Sequence, residues 1–201
     1  MWIALCGLLL IPSSMMGQSS KSSSILSAVK SAVTAATGGS TVSAESIEGT
    51  WTYTNPAVQM ESDNTLKSVA GSVVTSSVEE KLQEYCSKIG IEEGVFNYVF
   101  SSDGSFTSAL KSTTLKGTYT VDSDASTITF KYTAGSSSFS LKSITANVVL
   151  SGNELTLLYD ADKLISLLSA ISSVTNNSSL TSLTSLLNEY DGMLVGFDFS
   201  K

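Results

Sequence analysis

From Val95 to Tyr159 apolar side chains recur at every second position, in six runs separated by turn-forming residues. Such a pattern puts one set of side chains on a single face only if the chain is extended. Phe96, Tyr98 and Phe100 form the first run, and Asp103-Gly104 is a tight-hairpin signal. Phe106 and Leu110 mark the return strand. Leu115, Tyr119 and Val121 mark the third, with Lys116, Thr118 and Thr120 on the opposite face. The turn Asp122-Ser123-Asp124-Ala125 leads into Ile128, Phe130 and Tyr132. Gly135 to Ser138 reads as a loop, and a long strand is expected from about Phe139 to Leu150. Its apolar phase shifts between Leu141 and Ile144, which predicts a β-bulge near Ser143. Ser151-Gly152-Asn153 then turns the chain into Leu155, Leu157 and Tyr159.

Two more strands flank this array. Ile47 to Tyr53 alternates, with Trp51 and Tyr53 on one face and Thr50, Thr52 and Thr54 on the other. Gly49 allows a close backbone approach before the indole. Asn55-Pro56 is expected to end the strand, because Pro lacks the ladder donor. At the other extreme Met193, Val195, Phe197 and Phe199 alternate, with Asp198 opposite. The total is eight strands. An isolated terminal strand needs a partner, and the first strand supplies one. The expected fold is therefore mainly β with helical insertions: an eight-stranded, antiparallel, up-and-down barrel, closed between first and last strands.

Elsewhere the period lengthens to that of a helix. Leu66, Val69, Val73, Val78, Leu82, Tyr85, Cys86 and Ile89 form an apolar stripe across residues 65–89, with Glu and Lys off it. Asp63, Asn64 or Thr65 could cap it, Gly71 could interrupt it, and Gly90 is placed to stop it. Residues 160–190 hold a helical pair. Asp160 could cap the first, which carries Leu164, Ile165, Leu168 and Ile171. Asn176-Asn177-Ser178 breaks the pair, and Leu180, Leu183, Leu187 and Tyr190 mark the second, ahead of Gly192. These stripes require burial over a mouth or flank of the barrel.

Ahead of the barrel at 47–201 lie two other segments. Residues 1–17 carry an apolar run followed by small residues, the pattern of a signal peptide, although no basic residue precedes the run. The run is too short to span a membrane, and none follows it. Cys6 is disfavoured as a lipoprotein cysteine, because Leu5 precedes it and little apolar length lies ahead. Cleavage near Gly17-Gln18 leaves Cys86 without a disulfide partner. Export to the periplasm or extracellular space is expected, ahead of an outer-membrane lipoprotein. Residues 18–46 are rich in Ser, Ala and Thr. They read as a spacer or marginal helix carrying Ile25, Val29, Ala32, Val33 and Ala36.

Gly49-Thr50-Trp51 at the head of the first strand resembles the Gly-x-Trp of lipocalins and the wider calycin group. The helix after the first strand and the helical pair before the last are similar, more narrowly, to a secreted bacterial lipocalin-like domain family of unknown function. The likeness covers about residues 44–201. It implies a Trp plugging one end of the barrel. The chain departs from true lipocalins in having no Arg to stack on Trp51 and no disulfide, so no ligand residue carries over.

Chemistry is sparse. The net charge is −7, every basic residue is Lys, and there is no His. An acidic chain without Arg is poorly suited to nucleic acid. Without His it lacks the commonest general base and transition-metal ligand. Cys86 sits on the apolar stripe with no base beside it, so a buried structural thiol is expected. Glu79-Glu80 and Glu92-Glu93 suit a solvated surface better than paired acid–base catalysis. Asp122 and Asp124 lack the Gly and distant Glu of a calcium loop, which leaves a turn. No enzyme activity, cofactor or metal is expected. The aromatic set remains. It either fills the barrel or lines a cavity for a small hydrophobic ligand, with Trp51, Tyr53, Phe96, Tyr98, Phe100, Tyr119, Phe130 and Tyr132 as candidate contacts. With a filled barrel the chain would instead be a structural or protein-interaction module of the cell envelope.

Overall fold

Alternation along the chain becomes a closed sheet in space. The computed structural model describes residues 41–60, 68–110, 113–133, 141–175, 181–188 and 193–201. Its eight antiparallel strands follow one another around a barrel: β1 (Gly49–Met60), β2 (Asn97–Phe100), β3 (Ser105–Leu110), β4 (Thr113–Asp122), β5 (Thr127–Thr133), β6 (Ser143–Ser151), β7 (Glu154–Asp160) and β8 (Met193–Ser200). β8 pairs with β1 over most of its length, giving the terminal strand its partner. Four helices accompany them among the described residues: α1 (Ala44–Ile47), α2 (Ser68–Ile89), α3 (Ala161–Thr175) and α4 (Thr181–Asn188). The leader at 1–17, nearly all of the spacer, the expected caps at 63–65, Phe139 and its loop, and Leu180, Tyr190 and Gly192 lie outside the described residues.

Three expectations need correction. β1 does not stop at Asn55-Pro56 but continues to Met60. Its ladder with β2 covers only Gly49 to Thr52, and the register against β8 shifts between Tyr53 and Asn55. Beyond that bulge one side of β1 has no ladder to serve, so the missing Pro donor is tolerated. The sixth strand starts at Ser143, and it pairs with β5 in unbroken register from Ser143 to Asn147. The phase shift marks the start of a strand, and Leu141 precedes it. Finally, Gly71 does not interrupt α2, which is continuous from Ser68 to Ile89.

The stop at Gly90 is as its residue type implies. Gly90 has φ 88°, its N–H donates to Ser87 O at 3.3 Å, and the Ile91 N–H donates to Cys86 O at 2.9 Å. That pair of bonds is a Schellman motif, with Gly at its left-handed position. Ile91, Cys86 and Ile89 are all buried at this corner.

Inward positions are as the alternation implies, with three small exceptions: Ser108, Gly117 and Ala146 are buried among rings and aliphatic chains. Gly117 is enforced by packing, since a Cβ there would lie 2.1 Å from Lys131 O and 2.7 Å from Phe106 Cε1. β7 and β8 also bury outward residues. Leu158 and Leu194 form a separate apolar cluster with Ala57 of β1.

The two ends of the barrel differ. The β2–β3, β4–β5 and β6–β7 turns and α1 gather at one end. α2, α3 and α4 connect strand ends at the other, where Met60 pairs with Met193 and Asp160 with Leu194. α2 packs on β1 and α4, while α3 packs on β7, β8 and α4. Val78, Leu82, Leu164, Leu168, Leu183 and Leu187 from these helices are continuous with the barrel core. Among the described residues, the stripes read from the sequence are thus buried against the barrel, with Ile165 partly so.

Candidate functional site

At the turn end Trp51 is fully buried, and its indole Nε1 donates to Ile47 O at 2.7 Å. Ile47 is held by α1, a single helical turn with a reciprocal cap. The Ser46 N–H donates to Ser43 Oγ, and the Ser43 N–H donates to Ser46 Oγ. This turn sits within the segment expected to be a spacer; its Ser-x-x-Ser signal departs from the usual Ser-x-x-Glu. Over the indole lies Lys201, with Nζ 4.5 Å from the ring centroid. No Arg stacks on Trp51, yet a cation does, and its stem passes close to Gly49, whose added Cβ would lie 3.2 Å from Lys201 Cε. Tyr119 completes this end by donating its hydroxyl to Ser101 O at 3.0 Å.

From there the rings interlock. Tyr98 stacks on Phe100 at 5.6 Å and on Phe130 at 5.3 Å; Phe106 meets Phe130 edge-on at 5.2 Å; Phe100 meets Tyr119 at 5.0 Å. Tyr53, Phe96, Phe197 and Phe199 form a second group, joined to the first through Tyr98. These offset and edge-on separations are those at which aromatic pairs attract. Seven of the eight candidate contacts belong to one apolar core, and Tyr132 packs against it. Trp51 stands at its turn end, and Tyr53 reaches sideways to α2 by donating its hydroxyl to Gln83 Oε1 at 2.9 Å.

Toward the helical end the chemistry changes. Tyr98 is the second residue of β2 and faces Ser108 across the ladder. Tyr132 and Tyr159 are next to last in β5 and β7. The Tyr98 and Tyr132 hydroxyls lie 3.5 Å apart. The Ser108 and Tyr159 hydroxyls, 1 % and 0 % exposed by residue, have the Tyr98 hydroxyl as a polar neighbour, but neither makes a well-formed hydrogen bond among the described residues. Burial holds Tyr98, Tyr132 and Tyr159 above the ordinary phenol range, so all three keep their protons. The sequence pattern marks Tyr98 and Tyr132 as candidates, counts Tyr159 only within the wider aromatic set, and passes over Ser108. A Ser in phase with Phe106 and Leu110 is the signal that would have found the former.

Other reactive groups are engaged otherwise. Cys86 is fully buried and burial pushes its thiol up, which makes it a poor nucleophile. Asp122 Oδ1 accepts from the Ala125 N–H at 2.9 Å, the geometry of a turn. Asp198 accepts from Thr156 Oγ1 at 2.6 Å, and its carboxyl is raised, chiefly by burial. Among the described residues no cluster of His, Cys, Asp and Glu could hold a metal, and no helix is long and apolar enough to cross a membrane. A cleft of about 360 Å³ opens between the start of β6 and α3, lined by Leu141, Ile144, Thr145, Asp162, Lys163 and Ser166 among others. Its Ile144 also belongs to the barrel core.

A family match agrees with this architecture. The family model for the lipocalin-like domain DUF4923 matches residues 21–201. No curated protein matches the chain. Among solved structures, a DUF4847 family protein from Bacteroides vulgatus is similar over 76 % of this chain and 92 % of its own, at 16 % identity and a TM-score of 0.33.

Proposed function

This chain belongs to the lipocalin-like domain family DUF4923, and from that premise we propose that it is a non-enzymatic binding protein for a small, largely apolar molecule held inside the barrel. The observation that carries this reading is the cluster of Ser108, Tyr98, Tyr132 and Tyr159 hydroxyls in an otherwise apolar interior, in which the buried Ser108 and Tyr159 make no well-formed hydrogen bond among the described residues. A buried hydroxyl without a partner is destabilising by about 1–3 kcal/mol, and native cores contain few of them. A polar atom on a bound molecule would satisfy both groups. The leader-like residues 1–17 support export, and intact-mass measurement of the protein recovered outside the cytoplasm would test cleavage near Gly17.

Native mass spectrometry of the purified protein, followed by organic extraction, tests the binding reading. A stoichiometric apolar molecule released on unfolding is the expected result. A protein that is empty and takes up no fluorescent fatty alcohol would overturn it. The second reading is a barrel with a filled core, acting as a structural or protein-interaction module of the cell envelope. The unbroken ring contacts from Tyr119 to Phe199 favour it.

A further inference from the structure

The hydroxyl cluster has a chemical preference of its own. Each of its groups is a neutral donor and acceptor. With no Arg or His in the chain, Lys is the sole side-chain cation. Lys81, Lys88, Lys116, Lys131, Lys142, Lys163 and Lys201 are all exposed, so among the described residues no cation faces the barrel interior. No described carboxylate is buried either; Asp198, the most enclosed, is held by Thr156 on the outer face. Among the described residues an ionic head entering this end would lose its hydration without meeting an opposite charge, whereas a neutral oxygen would only exchange water for hydroxyl partners.

We propose, resting on the binding reading above, that the ligand carries an uncharged oxygen head (an alcohol, ketone or ester) seated among Ser108, Tyr98, Tyr132 and Tyr159, and that the carboxylate of the same chain is rejected. The apolar part faces Leu110, Leu115, Ile144 and Val195, inward residues of the same end. The phenols remain protonated and can donate to the head, because burial opposes their ionisation. A Ser at an inward position adds nothing to an apolar core, but it gives such a head one more partner.

The test compares decanol, methyl decanoate, decanoate and decane as ligands of the full chain, by native mass spectrometry and calorimetry at neutral pH. Decanol and the ester should bind at least about tenfold more tightly than decanoate. Tyr159→Phe and Ser108→Ala should each weaken decanol by roughly threefold to tenfold and leave decane unchanged. Thr129→Val, which removes a hydroxyl from the outer wall of the barrel, should leave all four affinities as they are. Decanoate binding as tightly as decanol would overturn the neutral-head inference while leaving the barrel a binding protein. Unaltered decanol affinity in both Tyr159→Phe and Ser108→Ala would overturn the assignment of the site. If none of the four probes binds, the binding reading itself fails and takes this inference with it.

Discussion

The two ends of this barrel treat polar atoms in opposite ways. At the turn end the indole N–H of Trp51 reaches Ile47 O, the Tyr119 hydroxyl reaches Ser101 O, and Lys201 lies over the indole. At the helical end two buried hydroxyls, on Ser108 and Tyr159, lie beside Tyr98 without a well-formed hydrogen bond among the described residues. The same strands, equally apolar in their alternation, build both ends. The first is organised for stability. The second carries buried hydroxyls without a well-formed bond, an arrangement that adds little to stability.

The contrast can be broken by substitution. Trp51→Ala should give the largest effect, a loss of about 3–5 kcal/mol in denaturant unfolding, because it removes a buried ring and orphans Ile47 O. Tyr159→Phe should move the other way, raising the stability of the ligand-free protein by about 1–2 kcal/mol as an unpaired hydroxyl disappears. A loss there instead would mean that the hydroxyl is already satisfied, and the two ends would be alike. Tyr119→Phe should lower stability by about 1 kcal/mol, as expected for a made hydrogen bond. Lys201→Met keeps the stem over the indole but removes the charge, and should lower stability by about 0.5–1 kcal/mol.

The smallest expected effect is a pH dependence on the outer wall. Burial raises the Asp198 carboxyl, with Glu154 adding to the shift and the Thr156 hydrogen bond opposing it. The folded chain thus holds this proton more tightly than the unfolded chain does. Its contribution to stability therefore rises as pH falls from neutral through the raised pKa, and is lost as pH rises again. Glu79 of α2, raised by burial and by the charge of Asp198, acts in the same direction. Asp198→Asn should be slightly more stable than the parent at neutral pH, and thermal melts should show this margin shrinking on acidification. A margin that grows on acidification would contradict the assignment.

Much of the fold was legible because side-chain parity is a local property. Phe96, Tyr98 and Phe100 point inward wherever their strand is placed, and Gly90 ends α2 because its backbone requires it. The lone alternating run at Met193 to Phe199 implied closure on the first strand. The departures share one cause. Pro56 stays in β1 because of what its other side lacks, and Leu158 and Leu194 are buried outward against Ala57. None of these depends on neighbours in sequence. The candidate site was half legible for the same reason. Tyr98 and Tyr132 stood out as aromatic residues, whereas Ser108 was lost among many outward serines, and Tyr159 read as one more core ring.

Which residues face inward, where the hairpins turn and which stretches are helical follow from the chain alone, since periods of two and 3.6 are written along it. That Lys201 covers Trp51, that Tyr53 reaches Gln83 on a distant helix, and which interior hydroxyls form good hydrogen bonds are settled by the folded barrel. Those outcomes depend on distances across a closed barrel. Such distances follow from register and closure, and residues far apart along the chain must meet before they exist.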